Sequence, residues 1–262
     1  MAETRSDGVR IAYDDQGRGE PALIFLPGWC SSRAGFAGLP SRCSASRRTL
    51  VLDWRGHGDS GSPAADFGQD GLVTDVLAVV EASGVGQIIP VALAHAGWVA
   101  IELRRRLGVR VPGLVLVDWL VLDAPPPFLA ALKALQDPDR WRETRDRLFA
   151  TWLHGLDHPA VARFVTEDMG AHDFAMWARA GREIARAYAT HRSPLQALAR
   201  LAPPPVLHLY AQPEDPGYLA AQRTFADSHP WFHVQKLAAR SHFPMFEVPD
   251  QMAAAIESFV GP

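Results

Sequence analysis

With 262 residues the chain can bury roughly three-quarters of its unfolded surface in one large domain, or in a core carrying an insertion. Its 48% hydrophobic and 21% charged content is ordinary for a globular protein, and a net charge of −3 gives no electrostatic case for nucleic acid or an anionic membrane as partner. Two cysteines, Cys30 and Cys43, make neither a disulfide framework nor a metal-binding spacing.

From the N-terminus, "VRIAYDD" (9–15) and "PALIFLPG" (21–28) read as an opening strand pair. Further strands are expected at "RTLVLDW" (48–54), "QIIPVALA" (87–94), "GLVLVDW" (113–119), "PPVLHLYAQ" (204–212) and "FHVQKLAA" (232–239). Helical spacing of apolar residues marks "GLVTDVLAVVEAS" (71–83), "WVAIELRRRLG" (98–108) and "PDQMAAAIESFV" (249–260). Strands alternating with helices predict an α/β fold with a mostly parallel sheet. Residues 124–192 break the alternation with prolines and then aromatic-rich helical patterns. We expect a helical cap there, with 1–123 and 193–262 forming the core, and a pocket beneath the cap. The N-terminal stretch lacks the apolar centre of a signal peptide, and the longest apolar run is interrupted by Asp118, so a cytoplasmic location without a membrane span is expected.

Four short stretches bear on chemistry. "FLPGW" (25–29) ends a strand in a glycine turn, "DWRGHGDS" (53–60) forms a glycine-rich loop, and "ARSHFP" (239–244) follows the last strand. The fourth, "ALAHA" (92–96), resembles the G-x-S-x-G nucleophile elbow of α/β-hydrolases, with Ala94 where the serine would stand. Taken in order, they predict the α/β-hydrolase fold. His242 is the leading catalytic residue, and His95, just past the elbow, is placed to touch a substrate. His57 reads as structural; His154, His172, His191, His208 and His233 have no special placement. The orienting acid is Asp118, closing an apolar strand where an unpaired carboxylate is costly, or Glu214 or Asp215 one strand later. Position 94 carries no hydroxyl or thiol, so acyl-enzyme chemistry is closed. A base held by an acid, beside amides that stabilise an oxyanion, points to proton abstraction.

The chain also resembles the cofactor-independent 3-hydroxy-4(1H)-quinolone 2,4-dioxygenases, in "LPGWC" (26–30), "DWRGHGDS", "HAGWV" (95–99), "VDWL" (117–120), "REIARAY" (182–188), "SPL" (193–195), "WFH" (231–233) and "SHFP" (241–244). Alanine at position 94 is similar to the members acting on the long-chain 2-alkyl quinolone signal. The resemblance implies cleavage of a 2-alkyl-3-hydroxy-4-quinolone by O2 to an N-acylanthranilate and carbon monoxide, without metal or other cofactor. It implies that His242 takes the 3-hydroxyl proton, Asp118 orients it, and His95 hydrogen-bonds the C4 carbonyl oxygen. Trp29 would supply an oxyanion-hole amide, and Trp152 would line the cavity. The rival readings are an esterase whose nucleophile is replaced by Ala94, and a non-catalytic protein that binds a hydrophobic ligand.

Overall fold

The computed structural model describes residues 1–261. Its centre is an eight-stranded sheet: β1 (Ala2–Ser6), β2 (Val9–Gln16), β3 (Ala22–Leu26), β4 (Thr49–Leu52), β5 (Ile88–Leu93), β6 (Leu114–Val117), β7 (Val206–Tyr210) and β8 (Phe232–Lys236). The order across the sheet is β1-β2-β4-β3-β5-β6-β7-β8. Strands β1 and β2 run antiparallel to their neighbours; from β4 to β8 all pairings are parallel. The central strands "ALIFL" and "LVLV" are buried along their whole length, which is why they read as unbroken apolar runs and not as alternation.

One expectation is corrected here. "VRIAYDD" does not pair with "PALIFLPG": β2 lies between β1 and β4, and β3 between β4 and β5. The opening pair is the β1–β2 hairpin, turned at Asp7-Gly8, where φ is 48° and 81°. Left-handed backbone at two successive residues matches the twist of a tight hairpin, and Asp-Gly is the dipeptide that favours it.

Helices Gln69–Ser83, Gly97–Leu107 and Pro216–Ser228 lie in the crossovers that parallel strands require, and Pro249–Val260, after the last strand, joins them in covering the sheet. Between β6 and β7 the chain leaves the sheet for a helical insertion, whose longer members are Pro126–Ala134, Trp141–Trp152 and Phe174–His191. The last of these starts on Asp173, whose carboxylate accepts from the Met176 amide at 3.0 Å. It buries Met176, Trp177, Ala180, Gly181, Ile184, Ala187 and Tyr188 along one face. Gly181 sets how close it comes to Pro126–Ala134, since a Cβ there would stand 2.6 Å from the Leu132 carbonyl oxygen.

Specific polar contacts tie the insertion to the core. Ser32 donates to Asp168 twice, from its amide (3.0 Å) and its hydroxyl (2.7 Å). The Tyr188 hydroxyl donates to the Leu120 carbonyl at 2.7 Å, and the Gln69 amide donates to Glu183 at 3.1 Å. The loops after β3, β5, β6 and β8 all open beneath this roof, at the carboxyl edge of the sheet where open α/β folds bind ligands.

Candidate active site

The chain leaves β5 at Leu93 and turns at once into the helix Gly97–Leu107. Ala94 makes the turn with φ of 49°, a left-handed conformation that costs an L-residue roughly 1–2 kcal/mol. The small neighbours have a reason. Ala92 and Ala96 are buried, and a Cβ on Gly97 would stand 2.2 Å from the Trp119 ring. Gly28 lies against the same turn, with its Cβ direction 3.7 Å from the Leu93 carbonyl oxygen. Next to it, the Trp29 amide donates to no other described group of the chain and borders the cavity.

Asp118 follows β6, again in left-handed backbone (φ 46°). Its carboxylate is buried but fully engaged. One oxygen accepts from the amides of Ala211 (2.7 Å) and Gln212 (2.8 Å); the other lies 2.8 Å from Nδ1 of His242. Asp215 is occupied elsewhere, capping Pro216–Ser228 through the Gly217 amide at 2.8 Å. Glu214 reaches the cavity wall without a contact to His242. Of the three acids weighed from the sequence, the fold therefore brings Asp118 to the histidine. With Nδ1 turned to Asp118, Nε2 of His242 is the nitrogen left for a ligand. The Trp152 indole stacks on the His242 ring, with centroids 5.0 Å apart and planes 17° off parallel.

His95 lines the same cavity and accepts at Nδ1 from the Trp119 indole N–H at 3.0 Å. Burial, aided by the nearby His242, pushes its pKa down to about 3, so it is a neutral imidazole. Phe128 stacks on its ring at 5.4 Å. His57 has the structural part expected of it. Its Nε2 accepts from the Cys30 amide at 3.1 Å, and its Nδ1 lies 3.0 Å from the Arg55 carbonyl. These bonds hold the turn after Trp29, where Cys30 has φ of 60°. Burial keeps His57 neutral as well, with a pKa of about 3.

The cavity between core and insertion has a volume of about 710 Å³. Ala94, His95, Asp118 and His242 sit at one end with Gly28 and Trp29; Leu132, Leu135, Leu148, Trp177 and Ile184 make an apolar remainder. Among the lining residues that the sequence reading missed are His154 and Ser31. His154, expected to be ordinary, reaches the wall because it lies just past Trp152 at the end of its helix, and Ser31 follows the Trp29 turn. Among the described residues, no three His, Cys, Asp or Glu side chains come together in a way that could hold a metal ion.

Comparison with known proteins places the chain in a family. Residues 23–255 match the model of the Alpha/beta hydrolase family. The chain is 42% identical to a 2-heptyl-3-hydroxy-4(1H)-quinolone dioxygenase of Mycobacteroides abscessus, over 97% of this chain and 96% of that one. The chain belongs to the quinolone 2,4-dioxygenase group of the alpha/beta hydrolase family. A further member of the group, the 1H-3-hydroxy-4-oxoquinoline 2,4-dioxygenase of Pseudomonas putida, is 32% identical over 99% of both chains. A solved member that recognises and ring-cleaves the Pseudomonas quinolone signal, in complex with its product, superposes with a TM-score of 0.93 at 40% identity over the whole of both chains. The structure of a 1H-3-hydroxy-4-oxoquinoline 2,4-dioxygenase gives 0.95 at 32% identity, again over both whole chains.

Proposed function

We propose that this protein is a dioxygenase that opens the heterocyclic ring of 2-alkyl-3-hydroxy-4(1H)-quinolones with O2, using neither metal nor organic cofactor. The products are an N-acylanthranilate and carbon monoxide. The observation that carries the reading is the Asp118–His242 pair, which faces a mostly apolar cavity across a turn that holds alanine where a hydrolase needs its nucleophile.

In this reading His242, through Nε2, takes the proton of the substrate 3-hydroxyl, and Asp118 stabilises the imidazolium that results. The Trp29 amide and the Nε2–H of His95 hold the negative charge that spreads onto the ring oxygens. The quinolone anion is electron-rich enough to reduce O2 itself. The two oxygen atoms end on C2 and C4, and C3 leaves as carbon monoxide with its own oxygen. The protein ionises the substrate, orients it and keeps bulk water away. Residues 124–192 act as the cap that makes this enclosure, with Trp152 over the base and the apolar wall around the alkyl tail.

A cytoplasmic location belongs to the proposal. Cys30 and Cys43 are both free thiols, as a reducing compartment leaves them, and no helix among the described residues is long and apolar enough to cross a membrane. The deciding experiment adds 2-heptyl-3-hydroxy-4(1H)-quinolone to chelator-treated protein and follows oxygen and carbon monoxide together. Equimolar O2 uptake and CO release are expected. Tight binding of the quinolone with neither gas exchanged would make the protein a ligand-binding relative and not an enzyme.

A further inference from the structure

We propose that Trp119 is a positioning residue for the reaction: its indole N–H, held on Nδ1 of His95, keeps that imidazole in the Nε2–H form and directs the N–H at the substrate carbonyl oxygen. An indole nitrogen can only donate. At 3.0 Å from the Trp119 indole, Nδ1 must therefore present its lone pair, and the single proton of the neutral ring sits on Nε2.

The indole is well anchored for this task. Trp119 is 2% exposed, and its ring fills the space left by Gly97. Trp98 meets it edge-on at 5.0 Å. Its backbone amide donates to Nε2 of His208 at 3.4 Å, and Nδ1 of His208 is held by Gln222 at 2.6 Å.

The neighbouring residue gives the arrangement its meaning. Asp118 and Trp119 are consecutive, and each addresses Nδ1 of a different histidine. Asp118 accepts there, so His242 keeps a bare Nε2 that can take a proton. Trp119 donates there, so His95 keeps an Nε2–H that can only give a hydrogen bond. One turn thus sets two imidazoles in opposite senses, an acceptor and a donor, on the two oxygens of a 3-hydroxy-4-quinolone.

This inference rests on the proposed function only for the identity of the oxygen that His95 meets, and its first test needs no substrate. In 15N-histidine-labelled protein at neutral pH, His95 is expected to show a protonated Nε2 and an unprotonated Nδ1. Protonation at Nδ1 in that spectrum overturns the proposal whatever the enzyme does. Trp119→Phe keeps an aromatic ring and removes the donor, at the cost of some ring volume beside Gly97. It should give His95 a mixture of tautomers and lower kcat roughly 3–10-fold, the equivalent of one ordinary hydrogen bond, with KM changing less. In a His95→Ala background the same substitution should cost nothing further. An undiminished loss in that background would make Trp119 merely structural. If Trp119→Phe does not fold, the wild-type spectrum alone decides.

Discussion

Asp118 and His242 are 124 residues apart in the chain and 2.8 Å apart in the fold. The contact is rigid, because the other oxygen of Asp118 is held by two amides of the segment that follows β7. A carboxylate so fixed cannot turn to another partner, and the histidine ring is set with it.

Removing the base is the most direct check. His242→Ala should lower turnover by about 10²–10⁴-fold, the usual contribution of general-base catalysis. Binding of pre-ionised quinolone should change far less, since the cavity walls remain. Retention of more than a tenth of wild-type turnover near neutral pH would remove His242 from the role.

The two acids should separate cleanly. Asp118→Ala should impair turnover, though by less than His242→Ala, because the acid acts only through the imidazole. Asp215→Ala should leave turnover alone and cost about 1 kcal/mol of stability, the usual worth of a helix cap. Steady-state rates and urea midpoints on both variants give the comparison; a larger rate loss at Asp215 would transfer the role.

The apolar wall predicts a preference for long tails. Extending the 2-alkyl group from methyl to heptyl adds six methylenes, at most about 5 kcal/mol if each buried one contributes ~0.8. Lost rotamer freedom of the tail takes back part of that. We expect a higher kcat/KM for the heptyl substrate, and equal values would mean that the tail does not lie against Leu132, Leu148 and Ile184.

Ala94→Ser tests why the nucleophile is missing. A hydroxyl at position 94 would compete with the substrate for Nε2 of His242, a hydrogen bond worth about 0.5–1.5 kcal/mol. Oxygenolysis should persist at a modestly reduced rate, and ester hydrolysis should stay negligible. An acyl-enzyme burst with esters, together with no quinolone-dependent oxygen uptake in either form, would identify a disabled hydrolase.

Acid should destabilise the fold through two buried histidines, His57 and His208, and the half-buried His95. Burial lowers His57 and His95 from 6.5 to about 3 and His208 from 6.5 to about 4. Below pH 6.5 the unfolded chain binds protons that the native state refuses, so unfolding becomes easier as pH falls. The stabilisation is complete above about 6.5 and is lost progressively down to the folded values, by up to ~1.4 kcal/mol per pH unit for each group. Denaturant titrations at pH 7.5, 6 and 5 should show falling stability; a flat profile would mean that these rings are solvated.

The parts of the site that end apolar runs were legible in the sequence. Ala94, Asp118 and His242 each follow a strand or its loop, and strand ends in a parallel sheet share one edge. Leu93 to Ala94 and Val117 to Asp118 are abrupt changes that periodicity alone exposes. The β1 hairpin was missed because Ala2–Ser6 is polar and alternates at an edge, although Asp7-Gly8 was a usable signal. The pairing of Trp119 with His95, and of Ser32 with Asp168, left no trace in local pattern. The first joins residues that follow two different strands, 24 positions apart, and the second joins a core loop to the roof, 136 positions apart; neither spacing is encoded in local pattern.

The Ser32–Asp168 contact ties the roof to the loop that follows β3. Ser32 sits three residues after Trp29, and Asp168 belongs to the roof. Lifting the roof at that point would drag the loop that carries the Trp29 amide, so access and alignment are one mechanical variable on this side. Beside His242 the roof is held mainly by aromatic packing, Trp152 on His242 at 5.0 Å and Phe164 on Phe243 at 5.3 Å, with one hydrogen bond from the exposed Arg240 to the Gly155 carbonyl. Opening the roof on either side would therefore displace a group that receives the substrate, the Trp29 loop on one and the stacking partner of His242 on the other.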